Sequence, residues 1–205
     1  MRSTTPRRRR RSRIGPIAIC LTLLVSILVP ITTATPANAA PPCPCTIWAA
    51  TATPANPAEA DNAAVEVGTK FRSDTAGFVT GVRFYKGAGN TGTHVGNLWT
   101  STGTKLATAT FANETASGWQ QVNFATPVSI TAGTVYVASY FAPVGHYAGD
   151  GGYFATTGVD NAPLHALKDG VSGGNGIYAY GSTSAFPNNT FNSANYWVDV
   201  VFTTS

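Results

Sequence analysis

Along most of the chain, apolar and polar residues alternate in short runs, and almost no stretch carries a helical period. Three such runs follow one another in residues 81–111. Val82 and Phe84 fall on one face and Arg83 and Tyr85 on the other, the period-2 signature of a half-buried strand. Residues 87–92, rich in Gly and Asn, tolerate positive φ and predict a sharp reversal. Val95 and Trp99 then oppose His94 and Leu98, a turn at 101–104 follows, and Leu106, Ala109 and Phe111 continue into a third strand. Two successive antiparallel hairpins are expected from this stretch.

The same pattern extends to both sides. Residues 65–71 alternate as a strand before the central runs, and Trp119, Gln121 and Asn123 alternate with Gln120, Val122 and Phe124 after them. Residues 134–141 form the most apolar run outside the N-terminal region, which predicts a central strand covered on both faces. Asp160 through Leu167 reads as one short helical turn, with an Asx cap and Pro163 near its start. Asn175-Gly176 is a hairpin signal before residues 177–180. The last run, 195–202, places Tyr196, Val198, Val200 and Phe202 on one face. Eight or nine short strands at roughly ten-residue spacing, without internal repeats, predict an all-β protein, an antiparallel β-sandwich of jelly-roll type.

Composition changes this picture mainly at the N-terminus. Seven arginines lie in the first thirteen residues, followed by an apolar run at 14–31 and by small residues at Ala37 and Ala39. Residues 1–39 read as a signal peptide, the alternative being an uncleaved membrane anchor of near-minimal length. Pro16, Pro30 and the Ala-x-Ala site favour cleavage, and the protein is expected to be secreted, extracellular or associated with the cell wall. The whole chain has a net charge of +4, but without those residues six Lys and Arg face nine acids, a net charge of −3. No basic patch remains for nucleic acid.

Residues 40–62 form a segment of Ala, Pro and Thr that cannot build helix, and Ile47 and Trp48 are expected to dock it onto the domain formed by 63–205. Within it lies Cys43-Pro44-Cys45, which in an oxidising compartment pairs either as a local clip or between molecules.

Candidate chemistry is sparse. His94, His146 and His165 lack the close spacing of a zinc site and read as lone surface residues beside loops. A metal-dependent extracellular enzyme would have to assemble these histidines with Asp150 or Asp199 through the fold. Glu66 in the first strand and Asp199 in the last offer oxygen ligands for a structural calcium ion if those strands are neighbours; solvent-facing protection of edge strands is the plainer explanation. Aromatics next to Gly, Asn and Asp are the better clue, because ring faces with polar rims suit sugars. Tyr147, Asp150, Tyr153, Tyr178 and Trp197 are the candidate ligand surface.

GVRFYKGAGNTGTHVGNLW, GWQQV at 118–122, Gly145-His146-Tyr147, PLHAL at 163–167 and NYWVDVVF together resemble the bacterial domain-of-unknown-function family 4082, over nearly the whole of the expected mature chain, from Cys43 to Phe202. That resemblance implies a secreted β-sandwich module found beside glycoside hydrolases, fibronectin type III or immunoglobulin-like domains, and it brings no active site. The expected function is a secreted non-catalytic binding module for an extracellular polysaccharide or cell-wall glycan. A structural or adhesive surface protein is the alternative.

Overall fold

The most apolar run does become the centre of a sheet. The computed structural model describes residues 43–205, so the expected signal peptide lies outside the described residues. Eleven strands are present: β1 (Val65–Ser73), β2 (Gly77–Lys86), β3 (Val95–Thr100), β4 (Lys105–Thr110), β5 (Gly118–Ile130), β6 (Tyr136–Ala142), β7 (Val159–Asn161), β8 (Leu164–Ala166), β9 (Ile177–Tyr180), β10 (Asn189–Thr190) and β11 (Val198–Thr203). They form an antiparallel β-sandwich. One sheet has the order β10-β9-β1-β6-β3-β4, with β8 pairing the far end of β1 and β7 pairing β8; the other has the order β11-β2-β5. Every residue of β6 is buried.

Between the sheets, Val67, Phe71, Leu98 and Tyr140 meet Val82, Phe84, Val198, Val200 and Phe202, all fully buried. Phe84 of β2 stacks on Tyr140 of β6 at 3.9 Å between ring centroids and meets Phe111 edge-on at 4.9 Å. At roughly 1.5–3 kcal/mol for each large side chain removed from water, this layer is the main source of stability.

The first of the two expected hairpins is absent. β2 sits between β11 and β5, whereas β3 lies in the other sheet between β6 and β4, so only the β3–β4 hairpin exists. Alternation identifies a strand but not its partner, and residues 87–94 cross between sheets instead of turning back. This crossing carries buried polar groups that satisfy one another: Asn90 Nδ2 donates to the Tyr140 hydroxyl at 2.9 Å, and Asn90 Oδ1 lies 2.8 Å from His94 Nε2.

The expected helical turn at 160–167 is also overturned. β7 and β8 form a hairpin around Ala162 and Pro163. Leu164 and Ala166 are buried while His165 between them points outward, a strand period, and β8 supplies hydrogen-bond partners to Phe71, Arg72 and Ser73 of β1. At the other end, the last strand begins only at Val198: Trp197 has φ of 53°, which breaks the pleat and takes Tyr196 off the Val198 face.

Residues 43–62 form a strap across β2 and β11. Ile47 and Trp48 are 2% and 4% exposed, docked as expected. Cys45 and Phe202 exchange two backbone hydrogen bonds of 2.9 Å. Cys43 and Cys45 form a disulfide with each other, the local clip. Further on, the strap lies so close to the domain that a Cβ on Gly87 would sit 1.8 Å from the Pro57 carbonyl oxygen.

Candidate functional site

The strap builds one wall of a surface groove. Its residues pair with the loop after β6: His146 N–H donates to the Asp61 carbonyl at 2.7 Å, Glu59 N–H to that of Tyr147 at 2.8 Å, and Gly149 N–H to that of Asn56 at 3.0 Å. This ladder requires a close approach at Gly145, where φ is 67° and a Cβ would meet the Asp61 carbonyl oxygen at 2.3 Å. As a result the side chains of Glu59 and Asp61 stand beside Tyr147.

The facing wall is aromatic. Tyr178 and Tyr180, two apart on β9, share a face with ring centroids 5.5 Å apart. Tyr196, displaced by the kink at Trp197, meets Tyr147 edge-on at 5.4 Å. Phe191, beyond β10, is 67% exposed. Asp61, Tyr147, Tyr178, Tyr180, Phe191 and Tyr196 enclose a cleft of about 410 Å³. It continues into a second of about 380 Å³ that shares Tyr147, Phe191 and Tyr196 and adds Asn56, Glu59 and Asn192.

Asp61 accepts hydrogen bonds from the hydroxyls of Tyr147, at 3.2 Å, and Tyr180. Burial pushes its carboxyl up, but hydrogen bonds from Tyr180, the Ala63 amide and Tyr147 outweigh that and leave it below the usual carboxylate value. The Tyr147 and Tyr196 phenols are pushed well above their ordinary value, chiefly by burial. The groove therefore holds the protonated phenols of Tyr147 and Tyr196 beside an ionised carboxylate. Ring faces with hydrogen-bonding rims bind flat polar ligands such as sugars.

Of the five residues expected at a ligand surface, Tyr147 and Tyr178 line this groove. Asp150, Tyr153 and Trp197 belong to a second aromatic cluster, under the strap. There Trp197 is 4% exposed and packs within 5.8–6.5 Å of Trp48, Trp119, Tyr153 and Tyr85. Its indole N–H donates to Asp150 Oδ2 at 2.9 Å, and Asp150 also accepts from the amides of Ala55 and Asn56 at 3.1 and 2.8 Å. The Trp48 indole donates to the Tyr153 hydroxyl at 3.1 Å. These groups are committed to holding the strap, and Trp197 is a core residue with no face left for a ligand. Asp61, Tyr180, Phe191 and Tyr196 take their place in the groove. The spacing of Tyr178 and Tyr180 at i and i+2 was the sequence signal for one of them.

The expected meeting of Glu66 and Asp199 does not occur, because β1 and β11 lie in different sheets. Asp199 accepts from the amides of Ile47 and Trp48 at 2.8 and 3.1 Å and pairs with Arg83 at 2.7 Å, all buried. The Arg83 guanidinium in turn donates to the Trp48 carbonyl and lies 4.1 Å from the Trp119 ring centroid. Glu66 faces Ser139 and, at 2.9 Å, Asn97; burial raises its carboxyl to about 7. Each of the two carboxylates is thus engaged by its own set of protein partners. Among the described residues no group of three or more His, Cys, Asp or Glu side chains is arranged to hold a metal ion.

The histidines lie apart and are not three surface residues. His94 is fully buried between Asn90 and Glu114, His146 donates to the Glu59 carbonyl at 3.0 Å, and His165 lies between Asp160 at 2.6 Å and Asp74 at 2.7 Å. Burial pushes the His165 imidazole down, but hydrogen bonds to Asp160 and Asp74 outweigh it and raise the pKa. None of the three lines the aromatic groove.

Fold and groove together define a two-sheet β-sandwich domain with an open, tyrosine-lined surface site. The chain belongs to the family described as a domain of unknown function, DUF4082, whose model matches residues 51–198. No curated protein is a significant match. Among the described residues no helix is long and apolar enough to cross a membrane.

Proposed function

We propose that the protein is a secreted, non-catalytic binding module for carbohydrate, with an extracellular polysaccharide or cell-wall glycan as ligand. The observation that carries this reading is the groove of Tyr147, Tyr178, Tyr180, Tyr196 and Phe191 rimmed by Asp61, Glu59, Asn56 and Asn192. Phe191 and Tyr180, 67% and 56% exposed, have no structural reason to present large apolar surface to water, and a sugar ring stacked on them gives one. Secretion is supported by the arginine-rich start, the apolar run and the Ala-x-Ala site, together with the Cys43–Cys45 disulfide.

The test is retention of the purified protein on a panel of insoluble glycans and cell walls. Phe191→Ala and Tyr180→Ala are each expected to weaken retention about tenfold, a typical loss for an aromatic anchor. Retention on no polymer, or retention unaffected by both substitutions, overturns the reading.

A further inference from the structure

Charge in the groove is one-sided. Asp61 and Glu59 are its two ionisable groups besides the phenols, and none of the six Lys and Arg of the described chain lines it. Those six are engaged elsewhere. Arg83 pairs with Asp199, Lys86 with Glu114, Lys70 donates to the Ser172 carbonyl, Lys105 lies over the Trp99 ring, and Arg72 and Lys168 border a separate cleft with Asp160 and His165.

Two of the four phenol hydroxyls of the groove are already engaged. The hydroxyls of Tyr147 and Tyr180 are turned onto Asp61, so they present ring faces to the cleft more than free O–H groups. The carboxylate of Glu59 accepts no hydrogen bond among the described residues, although the side chain is half-buried. Besides the amides of Asn56 and Asn192 and the hydroxyls of Tyr178 and Tyr196, such a site offers carboxylate oxygens and π-faces, which favour a ligand with donors and positive charge. An ammonium group meets both demands, with three N–H donors for carboxylates and a cation for the faces of tyrosine rings. A uronic acid or phosphate-bearing chain meets like charge along the strap wall.

We infer that the groove selects glycans carrying protonated amines, that is, chains of de-N-acetylated amino sugar, over their N-acetylated and anionic counterparts. The inference rests on the carbohydrate reading above and names its ligand class. N-acetylation of the ligand is then a means of discrimination, since it removes the charge and two of the three donors while keeping the ring.

The experiment is calorimetric titration of the purified protein with soluble glucosamine oligomers and with N-acetylglucosamine oligomers of the same length, in a buffer that keeps the amine protonated. Glu59→Gln is the main variant, isosteric and half-exposed; Asp61→Asn is the second, and melting curves check that both are folded. Asp160→Asn changes net charge equally but lies in the separate cleft beside His165, so it controls for general attraction of a cation to an acidic protein. We expect the free-amine oligomer to bind about tenfold more tightly than the acetylated one, and Glu59→Gln to weaken it roughly three- to tenfold while Asp160→Asn leaves it unchanged. Equal affinity for the two oligomers, or equal loss in Glu59→Gln and Asp160→Asn, overturns the charge selection and leaves the carbohydrate reading standing. Failure to bind either oligomer or any polymer of the panel overturns both.

Discussion

Two regions of this molecule are made of the same ingredients, aromatic rings and carboxylates, and they serve opposite ends. Under the strap, Trp48, Trp119, Trp197, Tyr85 and Tyr153 pack on one another, with Asp150 on the Trp197 indole and the Arg83–Asp199 pair beside them. In the groove, Tyr147, Tyr178, Tyr180, Tyr196 and Phe191 surround Asp61 and Glu59. In the first region the carboxylates have their donors within the protein: three backbone amides and a guanidinium for Asp199, two amides and an indole for Asp150. In the second, Asp61 accepts from the Ala63 amide and from the hydroxyls of Tyr147 and Tyr180, but the Glu59 carboxylate accepts no hydrogen bond among the described residues and Phe191 stands in water. Residue type does not separate a clasp from a binding surface; the completeness of the hydrogen bonding and the access of solvent do.

The strongest way to break that contrast is to remove the partner of a sealed charge. Asp199→Ala strands Arg83 in a buried site and frees the Ile47 and Trp48 amides, so urea denaturation should reveal a loss of about 3–5 kcal/mol. Glycan retention below the melting transition should survive, since no groove residue contacts Asp199 through a hydrogen bond. A loss under about 1 kcal/mol would show that the pair is not the clasp described above.

A sealed carboxylate without a cation gives the next largest effect. Glu66 is 1% exposed, and both its Oε2 and Asn97 Oδ1 lack a donor. Its folded pKa of about 7 lies above the unfolded value of 4.5, so folding takes up a proton between those values. The stabilisation is complete below pH 4.5 and is lost as pH rises toward 7. Glu66→Gln keeps the acceptor for Ser139 and Asn97 and adds a permanent donor. It should raise stability at neutral pH by roughly 1–3 kcal/mol, with the gain vanishing in acid. Denaturation curves across that pH range check the sign; a gain that grows in acid would refute it.

The smallest expected change sharpens the open side of the comparison. Phe191→Ala should alter the unfolding free energy by no more than about 0.5 kcal/mol while abolishing most retention, because an exposed ring contributes to binding and not to packing. A melting temperature that falls by many degrees would move Phe191 from the binding surface to the core.

Period-2 alternation made the strands legible, and the run at 134–141 announced itself as the centre of a sheet. Pairing was less accessible. Nothing in residues 81–99 distinguishes a hairpin from two strands that part into opposite sheets, because Gly and Asn serve a tight turn and a buried crossing equally well. At 160–167 an Asx cap and a proline outweighed the simpler alternation of Leu164, His165 and Ala166. For the site, Tyr147 and Tyr178 were readable as loop and edge aromatics beside Gly and Asn. Asp61 and Glu59 were not, since they stand in a segment whose composition announces only extension, and their role depends on a backbone ladder to residues 146–149. Tyr196 was hidden by the positive φ at Trp197, which no alternation pattern records. Trp197 itself was misread because a tryptophan beside a tyrosine looks alike in sequence whether it faces solvent or the core.

The pairing of Cys45 with Phe202 has a consequence for re-engineering this scaffold. It brings the beginning of the described chain against its last strand, so a short flexible linker spans Ser205 and Cys43 and new ends can be opened in an exposed turn such as that around Val171, which is 59% exposed. A circularly permuted protein of this kind keeps the strap, and with it both walls of the groove, and carries its new ends at the Val171 turn, where another domain can be fused.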